Sequence, residues 1–224
     1  MILATDGAKQ FDAYLATPAS GSGAAILILS DMFGLNAPMR ALADGWAGRG
    51  HPAMVPNLFW RSDPASALEY EGPDRQLAWE RLRKLDVERI VADLSLAVRA
   101  LRAAPGCSGK TVAIGFCGGG QFAFLAAARA GVDAAVSFYA LGISRYLGDL
   151  PRIACPLQLH YGTKDEHVPR AEVDAVSAAV RGWRNVAVYL YDAGHSFFNP
   201  VRPTYDPQAA KLAQERMDAL IALL

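Results

Sequence analysis

The stretch Thr-Val-Ala-Ile-Gly-Phe-Cys-Gly-Gly-Gly at residues 111–120 decides the fold. Its first six residues form an apolar run that is typical of a strand buried on both faces, and residues 118–130 predict a helix directly behind it. Cys117 therefore stands in a sharp turn between a strand and a helix, in the pattern G-x-C-x-G. Such a turn needs glycine on both sides of the central residue, because larger flanking side chains would collide.

Apolar runs alternate with helical stretches along the rest of the chain. Further strands are predicted at residues 24–30, 53–56, 134–139, 157–161 and 186–191. Helices are predicted at 38–48, over 74–103 with a break near 84–86, from Pro169 onward and, behind the cap Asp206, near the end of the sequence. An antiparallel edge strand is predicted from the alternation of Phe11, Ala13 and Leu15. This order of elements predicts an α/β fold, with a mostly parallel sheet covered by helices on both faces.

The composition fits one globular domain spanning residues 1–224. Basic and acidic residues number 22 each, so the formal net charge is zero, which argues against nucleic-acid binding and against a polybasic membrane-surface protein. Hydrophobic residues make up 52% of the chain, yet no window approaches the roughly 18 consecutive apolar residues of a membrane span. The first residues lack the features of a signal peptide, and three cysteines are too few for a disulfide framework. A reducing, cytoplasmic setting is therefore expected.

Three polar residues follow predicted strands at the edge where parallel sheets bind ligands. Cys117 follows 111–116, Asp165 follows 157–161 and His195 follows 186–191. Their order along the chain, nucleophile, acid and base, is that of an α/β-hydrolase, and the helix behind the cysteine favours a thiolate. Each residue also has an ordinary structural explanation: a small buried thiol, a helix cap and a loop histidine. Together they predict a Cys-Asp-His triad, with Glu166 and His167 as neighbouring rivals for a chemical role.

A second region of interest is the turn Asp-Met-Phe-Gly-Leu-Asn at residues 31–36. In an α/β-hydrolase one amide after this strand and one after the nucleophile bind the oxyanion, which here indicates Met32 and Gly118. Asp31 would bring a negative charge close to Cys117, and such a charge disfavours a thiolate. The alternative is that Asp31 caps its own turn.

These segments together resemble the dienelactone hydrolase family: residues 31–36, 115–119, Asp165 with 168–169, and 193–197. The cysteine makes the resemblance specific, since most α/β-hydrolases carry serine there. The resemblance implies a compact α/β-hydrolase without a lid domain, acting on a small ester or lactone with no metal or organic cofactor. The family's best-known activity opens the lactone 4-carboxymethylenebut-2-en-4-olide to maleylacetate. The resemblance also implies that Cys117 attacks the carbonyl, His195 transfers the proton and Asp165 orients His195.

The resemblance further assigns substrate-binding positions. Family members hold a substrate carboxylate between two arginines, of which the first matches Arg75, whereas the second position holds Asn199. An asparagine cannot supply the missing charge, so a weaker preference for anionic substrates is expected. The alternative is that Arg202, three residues on, replaces the missing group. The remaining pocket positions implied by the resemblance are Asp31, Trp79, Tyr139 and Phe197.

Other functions fit parts of the pattern. Residues 115–121 also match the G-x-C-x-G-x-Q turn of class I glutamine amidotransferases, but no histidine here is followed two residues later by the glutamate those enzymes need. A general carboxylesterase or thioesterase stays open, as does a non-catalytic protein that senses oxidation through the Cys117 thiol. The expected partner is a small ester or lactone, bound by a monomer that has no nucleic-acid or membrane partner.

Overall fold

One twisted sheet organises the chain, for which a computed structural model describes residues 2–4, 10–63 and 67–224. The described strands pair in the order β1-β2-β4-β3-β5-β6-β7-β8. Strands β3 to β8 run parallel to one another, whereas β1 and β2 join antiparallel at one side. The strand bounds are β1 Ile2–Ala4, β2 Gln10–Ala16, β3 Gly23–Leu29, β4 Ala53–Pro56, β5 Cys107–Phe116, β6 Ala134–Phe138, β7 Leu157–Gly162 and β8 Val186–Tyr191.

Helices cover both faces of this sheet, as predicted. The helix bounds are α1 Ala37–Gly48, α2 Asp74–Arg83, α3 Val87–Arg102, α4 Gly118–Arg129, α5 Arg170–Ala179 and α6 Pro207–Ile221. Apolar side chains of α3, α4 and α5 share one core with the sheet, and those of α1 and α6 share the other. Within β3, Leu27 faces the first core and Ile28 the second, and both are fully buried. Burial on both faces explains why this strand is apolar throughout.

The ends of several elements follow from their capping residues. Asn36 accepts a hydrogen bond from the amide of Met39 at the start of α1, and Asp206 accepts two from the first turn of α6. The predicted break in the 74–103 helix is confirmed, because α2 ends at Arg83 and Asp86 caps α3 through the amide of Arg89.

The structure corrects the sequence prediction at two elements. β2 is antiparallel as predicted, but it is not the edge strand, since β1 pairs with its outer side. A 3-10 helix at Ile143–Arg152 was not predicted. It begins after Gly142, which has a left-handed conformation (φ 77°), and it contains Pro151, so no helical repeat marked it in the sequence. In the part of the chain that the structure describes, no helix is long and apolar enough to cross a membrane.

Candidate active site

Cys117 sits at the turn from β5 into α4 in a strained backbone conformation. Its φ and ψ are 54° and −117°, and its amide donates a hydrogen bond to the carbonyl of Phe138 at 3.0 Å. The flanking glycines are required by close backbone contacts. A Cβ on Gly115 would lie 2.1 Å from the carbonyl oxygen of Gly119, and one on Gly119 would lie 2.1 Å from that of Leu29. The sharp turn that the sequence predicts is therefore present in the structure.

The side chains of His195 and Asp165 meet beside this turn. Nδ1 of His195 lies 2.7 Å from Oδ2 of Asp165, whose other oxygen accepts hydrogen bonds from the amides of His167 and Val168 at 2.8 and 3.0 Å. Cys117 and His195 both line one cleft beside the turn. The structure thus brings the three predicted triad residues together, with Asp165 hydrogen-bonded to a histidine that shares a cleft with Cys117.

The electrostatics of this chain favour a charged imidazole. Burial disfavours the imidazolium, but electrostatic attraction to Cys117 and the hydrogen bond with Asp165 outweigh it and raise the pKa of His195 to about 10. Burial likewise opposes ionisation of Asp165, yet His195 and the two loop amides hold the pKa of Asp165 below its ordinary value. The arrangement therefore favours a charged imidazole at His195, which Asp165 stabilises.

The turn after β3 supplies the opposite wall of the site. Met32 lies in this wall, and its carbonyl oxygen accepts a 2.7 Å hydrogen bond from Nε of Arg81. Arg81 is 1% exposed, stacks its guanidinium 4.0 Å from the Phe59 ring and pairs with Asp63. A charged residue on the buried side of α2 breaks the apolar pattern of a helix, which is why the sequence did not indicate it. Its bond to Met32 fixes the turn that would carry one oxyanion amide.

Asp31 is a buried carboxylate at this turn. Its Oδ1 accepts a hydrogen bond from the Phe33 amide at 2.9 Å, as a turn-capping residue does. Burial raises the pKa of Asp31, while the Phe33 amide, the charge of Arg202 and a hydrogen bond from Tyr70 act in the opposite direction. Asp31 therefore has both of the features that the sequence left as alternatives: it caps its turn, and it lies in the wall of the Cys117 site.

Several of the predicted substrate-binding residues line a cleft over the triad. The residues that line it are Asp31, Met32, Phe33, Arg75, Trp79, Cys117, His167, His195, Ser196 and Arg202. Arg202, the alternative to an arginine at position 199, and His167, the neighbouring rival for a chemical role, both line this cleft. The His167 ring lies 4.8 Å from that of His195. Within the described residues, no group of three or more His, Cys, Asp or Glu side chains is placed to hold a metal ion.

Arg202 enters the cleft in an unusual environment. Its guanidinium lies 4.7 Å from the centre of the Tyr70 ring and 5.7 Å from that of Phe33. Its Nη1 atom is buried and has no hydrogen-bond partner among the described residues. A buried cationic donor in a cleft wall is suited to binding an anion.

Three of the predicted substrate-binding residues lie behind the cleft instead of in its wall. Phe197 is fully buried in the core, where its ring packs 5.5 Å from that of Tyr139. Tyr139 is 2% exposed and its ring lies 4.9 Å from His195, so it supports the base. Asn199 donates a 2.9 Å hydrogen bond to the Tyr70 hydroxyl and is buried. None of these three side chains is among those that line the cleft.

Comparison with known proteins identifies the family. The model of the dienelactone hydrolase family matches residues 11–222 of this chain. The chain belongs to the dienelactone hydrolase family. It is 32% identical to carboxymethylenebutenolidase 1 of Cupriavidus pinatubonensis, over 96% of this chain and 92% of that one. It is 34% identical to a carboxymethylenebutenolidase of Pseudomonas putida, over 92% and 88% of the two chains. This dienelactone hydrolase family member is accordingly a hydrolase.

Solved structures agree on the fold of this family member. A crystal structure titled as a putative dienelactone hydrolase from Klebsiella pneumoniae superimposes with a TM-score of 0.84 at 24% identity, over 97% of this chain and 95% of that one. A dienelactone hydrolase-like promiscuous phosphotriesterase, P91, from metagenomic libraries gives 0.82 at 24% identity, over 100% and 96%. At such identity these likenesses confirm the α/β-hydrolase fold.

Proposed function

We propose that this chain hydrolyses a carboxylate-bearing lactone or small ester through a triad of Cys117, Asp165 and His195. The observation that carries the proposal is the 2.7 Å contact between His195 Nδ1 and Asp165 Oδ2, together with the cleft that His195 and Cys117 both line. The names of its relatives, carboxymethylenebutenolidases, point to the same class of substrate.

The proposed reaction has two steps. The Cys117 thiolate attacks the carbonyl carbon, the amides of Met32 and Gly118 stabilise the oxyanion, and the carbon–oxygen bond to the leaving group breaks. His195 gives its proton to the leaving oxygen, so that a thioester on Cys117 remains. Water then attacks the thioester while His195 takes up its proton, which releases the acid and restores the thiolate–imidazolium pair.

Two arginines support an anionic substrate. Arg75 and Arg202 both line the cleft that contains Cys117 and His195. Arg202 supplies the positive charge that Asn199 lacks. The site therefore keeps two arginines for a substrate carboxylate, with the second at a different position in the sequence. In 4-carboxymethylenebut-2-en-4-olide the enol side carries the carboxylate and becomes the leaving group, and the two arginines line the same cleft as His195, which would protonate that group.

Kinetics with one anionic and one neutral substrate test this proposal. We expect Arg202→Gln to lower kcat/KM for the anionic lactone by about 10- to 100-fold, because a hydrogen bond to a charged group contributes about 1.5–3 kcal/mol. The change for p-nitrophenyl acetate should be much smaller. Arg184→Gln, at an exposed arginine away from the cleft, is the matched control. Wild-type activity that survives Cys117→Ala would contradict the triad, and equal losses on both substrates would contradict the carboxylate site.

We further propose that the chain acts as a monomer in the cytoplasm. Cys107, Cys117 and Cys155 are all free thiols, in keeping with a reducing compartment. Light scattering on the purified protein should give the mass of a single chain, and a dimer mass would contradict the proposal.

A further inference from the structure

A second and larger cavity adjoins the nucleophile. Its volume is about 320 Å³, against about 20 Å³ for the cleft over the triad. Gly118, the residue that follows Cys117, lies in its wall, and Trp79 lines both spaces. We call it the Gly118 cavity. It is lined by Trp79, Leu82, Arg83, Leu85, Val87, Gly118, Gln121, Phe122, Leu141, Gly142, Arg145 and Tyr146.

The wall of the Gly118 cavity comes from several elements, and six of its twelve residues have apolar side chains. Leu82 at the end of α2, Phe122 on α4 and Leu141 before the 3-10 helix surround its interior. Arg83 and Arg145 are exposed and stand at its rim. A space of this volume that combines an apolar side with several polar groups can hold a small molecule.

The α2 wall is held in a fixed position against the nucleophile turn. Leu82 packs so closely on Gly118 that a Cβ on the glycine would lie 2.7 Å from its Cδ1. Its neighbour Arg81 anchors the helix through the 2.7 Å bond to the Met32 carbonyl. The cavity is therefore bounded by groups that also set the position of the candidate oxyanion amides.

The chemistry of the reaction decides which part of a substrate reaches each space. His195 must protonate the leaving oxygen, so the leaving group lies on the His195 side of the carbonyl carbon, in the smaller cleft. The described walls of the Gly118 cavity include neither His195 nor Asp165. The acyl group lies on the other side of the carbonyl carbon, and the Gly118 cavity is the larger space beside the nucleophile turn that the leaving group does not occupy.

We propose that the Gly118 cavity is an acyl subsite, which takes an uncharged aromatic or medium-length aliphatic acyl group while the thioester forms on Cys117. This inference rests on the proposed function, because the subsite is defined relative to attack by Cys117. It extends the substrate class from small lactones to esters of larger apolar acids.

A series of p-nitrophenyl esters tests the subsite, since the leaving group is constant and only the acyl part changes. For the wild type we expect kcat/KM to rise at least about tenfold from acetate to hexanoate, because each buried methylene contributes up to about fourfold. Benzoate should also exceed acetate. Leu82→Trp, which fills the cavity, should lower the hexanoate-to-acetate ratio by about tenfold, and Leu141→Trp should do the same from the opposite wall.

The matched control is Leu77→Trp, on the same helix but 39% exposed, which should leave the ratio unchanged. A wild-type series that is flat or falls with acyl length overturns the subsite, even if neither tryptophan variant folds. An unchanged ratio in a folded Leu82→Trp or Leu141→Trp protein also overturns it. If turnover depends on Cys117 but the series is flat, the subsite alone fails. If the wild type hydrolyses no ester, or Cys117→Ala is fully active, the proposed function and the subsite both fail.

Discussion

Replacing Arg81 by methionine tests how the buried guanidinium supports the site. The substitution removes the 2.7 Å hydrogen bond to the Met32 carbonyl and one charged partner of Asp63, which is 8% exposed. A hydrogen bond to a charged group contributes about 1.5–3 kcal/mol, and breaking a buried ion pair costs about 3–5 kcal/mol in total. We therefore expect Arg81→Met to lower the free energy of unfolding by about 3–5 kcal/mol.

The same substitution should also slow the reaction, because the turn that carries the Met32 amide loses its anchor. Loss of one oxyanion donor lowers kcat by about 10²–10³-fold, which sets the upper limit of the effect. Urea unfolding gives the stability, and kcat is then measured at a temperature where the variant stays folded. Arg89→Met is the control: Arg89 is exposed and, within the described ranges, its side chain pairs with Asp86 in the same helical turn, so its loss should cost less than about 0.5 kcal/mol.

The two readouts separate structural support from positioning of the oxyanion site. A variant that loses stability but keeps its full kcat would refute a positioning role for Arg81. A variant that keeps both its stability and its kcat would refute the expectation that the buried guanidinium stabilises the fold. A loss of kcat with KM little changed supports the positioning role, since the oxyanion forms only after the substrate is bound.

Three further predictions concern the triad and its surroundings. Iodoacetamide should alkylate Cys117 faster than Cys107 or Cys155 at neutral pH, because the His195 imidazolium, whose pKa is raised to about 10, attracts the attacking sulfur's negative charge; peptide mapping that finds Cys107 or Cys155 labelled first would contradict this. His195→Ala and Asp165→Asn should each lower kcat by about 10³–10⁴-fold in steady-state assays, whereas Glu166→Gln should change kcat little. A larger loss for Glu166→Gln than for Asp165→Asn would show that the wrong acid is assigned. Asn199→Ala should raise KM for the anionic lactone by a few fold, because it removes the 2.9 Å hydrogen bond to Tyr70. Initial-rate kinetics would detect this rise, and an unchanged KM would contradict the prediction.

The positions of the candidate triad could be predicted because they depend on topology. β5, β7 and β8 are parallel members of one sheet, so their carboxyl ends meet at the same edge. Cys117 follows β5 directly, and Asp165 and His195 follow β7 and β8 after two and three residues, so these short turns leave little freedom in where the side chains point. Apolar runs and glycine positions were enough to place those turns, and the side chains met as the chain order indicated.

The substrate-binding positions were harder to predict because they lie on longer loops. Ser196 has a left-handed backbone conformation (φ 63°), which turns the chain between His195 and Phe197, and Phe197 packs into the core. Asn199 then bonds Tyr70, a residue 129 positions earlier, and Arg202 reaches the cleft in its place. Such contacts join two loops of irregular conformation, and no periodicity in the sequence encodes them.

The positions of Asp31 and Arg202 connect substrate charge to the state of the nucleophile. Asp31 is a buried carboxylate in the wall that also holds Cys117, and Arg202 favours its charged form. A substrate carboxylate bound by Arg202 would compete with Asp31 for that positive charge, so the pKa of Asp31 would rise further and a proton would be taken up more readily. Loss of the negative charge on Asp31 would in turn favour a thiolate at Cys117. An anionic substrate would thus stabilise the thiolate of the proposed thiolate–imidazolium pair, whereas a neutral ester would leave the charges of the cleft as they are.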